Sequence, residues 1–390
     1  MRIIIQLNVI LVSILLVTQS ALAKSSENNR IGSAEVASNK SQNSLDHNGL
    51  AKRFKNPPDS ARPGVYWYFM DGNLNRKEMT ADLESMKEAG IGNLVFLEVN
   101  VGVPRGPVDF MSEQWQNLFV HAVREAERLG IEITLGSGPG WAGSGGPWVK
   151  PEQSMQHLVA SSVEVRGPVR FNAKIPVPES RRPYFPTVTK EFQDKREAYF
   201  EDVAVLAYPT LKADAKVEFA DEKAIYYRAP FSSVDGVKPY LPAPAEYPST
   251  PESACIDMDK TIDLIDRLKP DGMLDWEVPA GDWTIMRFAS RNNGANTRPA
   301  PQPGYGFECD KFSGTAFDDH FDHYIGKLLK KVGLGKTGAG WTMLHIDSWE
   351  MGAQNWTQNF REEFRKSRGY DPQPFYPAYT GLIVGSLEMT

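Results

Sequence analysis

The first half of the chain alternates short apolar runs with segments whose apolar residues recur at helical spacing. The runs have the length of buried strands and occupy residues 65–69, 92–99 and 131–136. Of the two helical segments between them, the second begins at Ser112 and ends at Gly130. Strand, helix, strand, helix and strand with short connections predict a parallel α/β unit. The functional side chains of such a unit lie at the carboxyl ends of its strands.

A second pattern occupies the middle of the chain, where strand-like segments are divided by proline-rich turns. We interpret residues 163–290 as an inserted β-rich, sandwich-like domain. It interrupts an α/β domain formed by residues 51–162 and 291–390, in which a helical segment at 317–332 precedes another buried strand at 341–350.

The amino terminus has the pattern of an export signal. Met1 and Arg2 precede an apolar run at 3–17, and Ala-Leu-Ala stands at 21–23. This arrangement predicts a signal peptide over residues 1–23, cleaved after Ala23. Residues 24–50 are rich in Ser, Asn and Ala and predict a disordered linker. We therefore expect an exported protein, periplasmic or secreted, with no membrane span after cleavage.

The composition disfavours several classes of protein. A length of 390 residues allows two or three domains, and a net charge of -6 disfavours nucleic-acid binding. The only two cysteines, Cys255 and Cys309, are too few for a disulfide framework or a cysteine-type zinc site. These cysteines either form one disulfide or remain as two buried free thiols.

The ends of the predicted strands carry the candidate binding residues. The glycine-rich loop at 136–148 lacks the GK[ST] ending of a phosphate-binding loop, which disfavours nucleotide binding. It either presents its two tryptophans at a pocket or is a tight structural loop with both indoles in the core. Aromatic rings suit the apolar faces of sugars. The predicted substrate contacts are Trp67, Asp71, Glu98, Trp141, Trp148 and Trp349.

Two carboxylates at the end of the last strand, Asp347 and Glu350, form the clearest catalytic pattern. Glycosidic cleavage needs one carboxyl group to protonate the leaving oxygen and another to activate water or attack. A nearby tryptophan raises a carboxyl pKa by desolvation, which suits the acid. The alternative is structural, with Asp347 capping the next helix and Glu350 bound to a surface arginine. A weaker pattern at 318–323 has metal-like His and Asp spacing, but acids also favour a helix start.

Four long strings, in order, resemble the α-L-rhamnosidases of glycoside hydrolase family 106. They are FKNPPDSARP at 54–63, YWYFMDGNL at 66–74, GPGWAGSGGPWVKPEQSMQ at 138–156 and DSWEMGAQNWTQNFREEFRKSRGYDP at 347–372. The resemblance covers the chain from about residue 50 to its end.

The resemblance implies an exported bacterial enzyme that removes terminal L-rhamnose from plant or bacterial glycans. It also implies a (β/α)-barrel catalytic domain with β insertions, inversion at the anomeric carbon, a calcium dependence, and Glu350 as the leading catalytic carboxylate. Family members are much longer, so we expect this chain to correspond to the amino-terminal portion of such an enzyme, with an incomplete barrel. The alternative is a non-catalytic, carbohydrate-binding remnant that keeps a tryptophan-lined pocket.

Overall fold

The computed structural model describes residues 47–57, 61–183, 189–227, 244–333, 339–347, 349 and 352–390. The chain divides into two units, Met1–Asn56 and Pro57–Thr390. The predicted signal peptide and residues 24–46 of the predicted linker lie outside the described residues. Residues 47–50 of that linker belong to a helix, which differs from the prediction; the strong helix formers Leu50 and Ala51 follow three weak ones in this helix.

The secondary structure comprises eight described α-helices and ten described strands. The helices are α1 His47–Lys55, α2 Arg76–Glu88, α3 Glu113–Leu129, α4 Lys190–Ala198, α5 Ala220–Lys223, α6 Gly314–His323, α7 Ile325–Val332 and α8 Phe360–Arg368. The strands are β1 Gly64–Met70, β2 Asn93–Val99, β3 Glu132–Gly136, β4 Gln156–Lys174, β5 Glu201–Pro209, β6 Cys255–Ile256, β7 Ile262–Asp263, β8 Met273–Asn292, β9 Gly340–His345 and β10 Ile383–Val384. None of the described helices is long and apolar enough to cross a membrane.

A four-stranded parallel sheet in the order β1-β2-β3-β9 forms the predicted α/β unit. Its register places Phe69 opposite Glu98 and Gly136 opposite His345, so the carboxyl ends of the strands meet at one edge. The predicted limits of α3 are confirmed. Ser112 accepts a hydrogen bond from the Trp115 amide, and Gly130 ends the helix in the left-handed conformation.

The core of this unit lies on one side of the parallel sheet, where the α2 and α3 helices pack. Its buried side chains include Leu83, Leu94, Trp115, Phe119 and Ile133. The other side of β1 carries Tyr66 and Tyr68, which are exposed. Four parallel strands agree with the predicted α/β class, and closure of a barrel remains a prediction.

A four-stranded antiparallel sheet, in the order β4-β8-β5-β7, interrupts the parallel sheet between β3 and β9. The long strands β4 and β8 pair from Gln156 opposite Asn292 to Lys174 opposite Met273. One face of the sheet packs against the carboxyl-terminal segment, through Trp356, Tyr376 and Val384. The predicted β-rich region is therefore present, but among the described residues this face is covered mainly by that segment rather than by a large second sheet.

Both cysteines are free thiols, Cys309 being buried.

Candidate active site

The turn that follows β1 is bound to the end of β2. Asp71 and Gly72 both have positive φ angles, 43° and 81°. The Gly72 amide donates to Glu98 Oε1 at 2.8 Å, and the Trp115 indole N–H donates to Glu98 Oε2. Glu98 therefore joins the first two strand ends to helix α3.

Both predicted acidic contacts at these strand ends are buried. Burial raises the pKa of Glu98 to about 7, although its two hydrogen-bond donors act in the opposite direction. Asp71 is 4% exposed, and its Oδ1 accepts from the Gln302 amide at 3.3 Å. Asp71 and Glu98 lie together as predicted, yet the polypeptide covers both of them.

The cover is supplied by residues 293–310, here called the covering segment, which follows β8 and crosses the strand-end edge. The Pro299 carbonyl accepts from the Asn100 amide at 2.8 Å, and the Arg298 carbonyl accepts from the Trp141 amide at 3.3 Å. A Cβ at Gly140 would lie 2.8–2.9 Å from the backbone of Arg298, Pro299 and Ala300. The glycine-rich loop therefore allows two stretches of backbone to meet.

An open aromatic surface lies on the side of the sheet away from the core. Tyr66 and Tyr68 stack with ring centroids 5.3 Å apart, and the ring of His345 meets Tyr66 edge-on at 6.2 Å. Burial raises the pKa of the Tyr68 hydroxyl, as do Tyr66 and Asp347, whereas a side-chain hydrogen bond with Trp141 lowers it. Trp141 is 39% exposed. Asp347 and Trp141 therefore lie at the same aromatic surface.

The predicted catalytic pair is only partly described. Strand β9 ends at His345, so Asp347 follows the strand instead of lying within it as predicted. Asp347 is exposed, and its Oδ2 lies 3.6 Å from Nε2 of His345. Glu350 lies outside the described residues.

Two of the predicted tryptophan contacts occupy structural positions. Trp67 is 5% exposed in the core beneath the sheet, and its indole N–H donates to Asp82 at 3.0 Å. This differs from the predicted substrate contact, because alternation along β1 turns Tyr66 and Tyr68 to the open side instead. The indole N–H of Trp148 donates to His320 Nδ1 at 3.1 Å, so Trp148 follows the structural alternative for the glycine-rich loop.

Trp349 packs against Met155 and Ala295 and meets the ring of Phe312 at 6.2 Å. Within the described part of the chain, its buried indole nitrogen has no hydrogen-bond partner. Trp349 thus keeps a donor available beside the segment that carries Asp347.

A buried polar network that the sequence analysis missed holds the segment after the predicted catalytic pair. Asp310 accepts from the Gln354 side-chain amide, from the Thr357 hydroxyl at 2.6 Å and from the Phe312 amide at 2.9 Å. Nearby, Lys311 donates to Ser144 at 2.8 Å and to Glu308 at 2.5 Å. No spacing rule in the sequence links Asp310 to Gln354, a residue 44 positions away.

The predicted calcium dependence has no carboxylate cluster to support it in the described part of the chain. The described residues contain no group of three or more His, Cys, Asp or Glu side chains that could hold a metal. His320, in the middle of the His-Asp pattern at 318–323, has a structural role, because both of its ring nitrogens form hydrogen bonds within the protein. Nδ1 accepts from the Gly145 amide at 3.2 Å and from Trp148, and Nε2 donates to the Ser137 carbonyl at 2.8 Å.

In the described part of the chain, Asp347 lies beside the exposed aromatic rings, and Asp71 and Glu98 are buried at the carboxyl ends of the first two parallel strands. The sequence profile of the glycoside hydrolase 106 family, described as alpha-L-rhamnosidase, matches residues 55–390, and the chain belongs to this family.

The chain is also similar to two other proteins. The chain is 34% identical over 344 residues to a Formosa agariphila protein named "Putative beta-glucuronidase", which covers 87% of this chain and 27% of that protein. The structure of this chain resembles that of a rhamnosidase from Novosphingobium sp. PP1Y. The TM-score is 0.68 and the identity 28%, and the match covers 87% of this chain and 43% of the rhamnosidase chain. The chain thus spans less than half the length of either relative.

Proposed function

We propose that this chain is part of an exported glycosidase that removes terminal α-L-rhamnosyl residues from glycans. Membership of the family supports the reaction class. The observation that carries the proposal is the position of Asp347, a carboxylate that is 30% exposed two residues after β9 and lies near Tyr68, the residue that Trp141 also contacts. Carboxylates act on the glycosidic bond while aromatic rings pack against the apolar face of a sugar.

Within this proposal, Glu350 and Asp347 divide the acid and base roles. One protonates the leaving oxygen and the other activates a water molecule on the opposite face, which inverts the anomeric carbon. Trp141 is the proposed platform for the sugar ring, and Trp349 the proposed donor to a sugar hydroxyl. Calcium stays a proposal from family resemblance, and neither proposed carboxylate role depends on it.

The test is hydrolysis of an aryl α-L-rhamnoside by the wild-type protein and two variants. Asp347→Asn and Glu350→Gln keep the side-chain shape and remove the titratable group. We expect each to lower kcat by roughly 10²–10⁴-fold, the usual contribution of a general acid or base. Asp194→Asn is the control, since Asp194 is exposed on α4 and paired with Lys190. Near wild-type turnover in both variants would assign the two acids structural roles.

A second candidate activity is cleavage of glucuronides, which the name of the 34% identical relative suggests. A glucuronidase must bind a sugar carboxylate, and a cationic side chain usually does so. Lys311 lies near the site but already binds Glu308 and Ser144. Assays with an aryl β-D-glucuronide beside the rhamnoside separate the two activities. Rhamnose binding by calorimetry without turnover of either substrate would instead favour the carbohydrate-binding remnant.

Export is the localisation that we propose. The Ala-Leu-Ala sequence at 21–23 places small residues at the cleavage position. Mass spectrometry of protein recovered from the periplasm or the medium should find Lys24 as the first residue. An intact Met1 on that protein would contradict cleavage.

A further inference from the structure

His345, the last residue of β9, is held in place by two different kinds of contact. Its backbone pairs with Gly136 of β3, and its carbonyl accepts from the Ser137 amide at 2.8 Å. Its ring meets that of Tyr66 on β1 edge-on, with centroids 6.2 Å apart. The sheet therefore fixes the backbone, and ring packing restricts the direction of the imidazole.

One nitrogen of this imidazole is buried without a partner. Within the part of the chain that the structure describes, Nε2 of His345 makes no hydrogen bond. Oδ2 of Asp347 lies 3.6 Å from it, beyond the usual hydrogen-bond length of about 2.7–3.2 Å. With its hydrogen on Nε2 the ring is a donor, and a carboxylate is an acceptor. A small rotation about the soft χ2 torsion of Asp347 would close this gap.

Asp347 is the less constrained member of the pair. Strand β9 ends before it, so the ladder of the sheet does not hold its backbone. Ile346, between the two residues, contacts the glycine-rich loop, where a Cβ at Gly143 would lie 2.8 Å from Ile346 Cγ2. A donor fixed on the strand can therefore orient the carboxylate that follows it. Catalytic hydrogen bonds that are long in a free enzyme often shorten in the substrate complex.

We propose that His345 is a positioning residue of the glycosidase site, which donates from Nε2 to Asp347 in the substrate complex and orients its carboxylate. The assignment rests on the proposed function, because His345 acts on turnover only through Asp347. The attraction between the two side chains needs no substrate, so unfolding measurements can test it separately from hydrolysis.

Two substitutions of His345 separate the role of the donor from that of the ring. His345→Gln keeps an N–H donor near the position of Nε2, whereas His345→Phe keeps a ring against Tyr66 and has no donor. His323→Phe is the matched control. His323 is also near an aspartate, with Nδ1 3.4 Å from Oδ1 of Asp319, and it lies on α6 outside the proposed site.

Hydrolysis of an aryl α-L-rhamnoside gives kcat and KM for each variant. We expect His345→Phe to lower kcat by roughly tenfold to hundredfold and to leave KM within about twofold, because it misplaces a reacting group without removing a sugar contact. His345→Gln should stay within about threefold of the wild-type kcat, since it retains a donor. His323→Phe should match the wild type. Equal losses in His345→Gln and His345→Phe, or a change in KM alone, would overturn the positioning role.

Combining His345→Phe with Asp347→Ala tests whether the two residues act together. If His345 acts through Asp347, its substitution lowers kcat by less than about twofold further once the carboxylate is gone. An undiminished loss in the Asp347→Ala background would show that His345 acts independently, and would overturn the proposal.

Urea unfolding of the wild type, the two single variants and the double variant gives a readout without substrate. We expect the effects of His345→Phe and Asp347→Ala to be non-additive by roughly threefold in the unfolding equilibrium constant. Additive effects would overturn the contact even in a protein that hydrolyses rhamnosides. Non-additive effects in a protein that hydrolyses no rhamnoside would contradict the proposed function and the positioning role with it, and leave a structural pair.

Discussion

At the scale of single residues, His320 shows how a side chain of catalytic type can serve the fold. It is fully buried on α6 and connects the glycine-rich loop to the end of β3 through Gly145, Trp148 and Ser137. The Nδ1 atom must be unprotonated to accept these bonds. Desolvation lowers the pKa of His320 to about 4.

The lowered pKa predicts a loss of stability in acid. The unfolded chain binds a proton on this histidine below about pH 6.5, whereas the folded protein resists it until about pH 4. The contribution of neutral His320 to the free energy of unfolding is therefore complete above pH 6.5. It decreases as the pH falls towards 4, by about 3 kcal/mol in total. Urea unfolding of the wild type and of His320→Gln at several pH values measures this contribution.

We expect the free-energy difference between these two proteins to shrink as the pH falls from 6.5 to 4. The other buried histidine, His157, is present in both proteins, so its own lowered pKa cancels in the comparison. Parallel pH profiles would show that His320 is not neutral in the folded state.

At the scale of secondary-structure elements, the antiparallel sheet offers two arginine–aspartate pairs in different surroundings. On β8, Arg287 is 1% exposed, donates to both oxygens of Asp202 at 2.6 and 2.8 Å, and donates to the Ile175 carbonyl at 2.8 Å. On β4, Arg170 makes the same paired contact with Asp275, but at an exposed position.

We expect Arg287→Ala to destabilise the protein by about 3 kcal/mol, because it leaves Asp202 and a buried carbonyl without their partner. Arg170→Ala should change the stability little, since water solvates its partner. Urea denaturation midpoints compare the two variants directly. Equal losses would mean that burial does not set the strength of these pairs.

At the scale of the whole molecule, the β9 edge of the parallel sheet exposes apolar side chains that the proposed site does not use. Strand β9 is at the edge of the sheet, and Met343, Leu344 and Ile346 are exposed there. Exposed apolar edge strands are prone to pair with another chain.

Expressed as this chain, the protein should therefore bind a hydrophobic dye and self-associate as its concentration rises. Met343→Lys should reduce both effects, because a charged side chain disfavours pairing at an edge. Val169→Lys, at an exposed apolar position on β4 of the other sheet, is the control. Dye fluorescence measures the exposed apolar surface and light scattering measures association. A protein that stays monomeric and does not bind the dye would show that this edge does not mediate association.

The sequence by itself determined the local elements and the family. The limits of α3 follow from Ser112 and Gly130, since capping involves atoms only a few residues apart. Apolar runs of strand length separated by helices specified β1 to β3 as parallel neighbours, because a short helical connection reverses the chain direction twice. The strings around residues 138–156 and 347–372 were sufficient to place the chain in its family.

Only the tertiary structure decided which side chains reach the site. Alternation along β1 separates Trp67 from Tyr66 and Tyr68 but cannot tell which side the helices cover, so the sequence did not reveal that Trp67 is buried and the two tyrosines are exposed. The covering segment reaches Asp71 from 231 positions away in sequence, and Asp310 meets Gln354 across 44 positions. Such contacts depend on how whole sheets and loops pack. Periodicity and capping, in contrast, act over a few residues and carry no information about that packing.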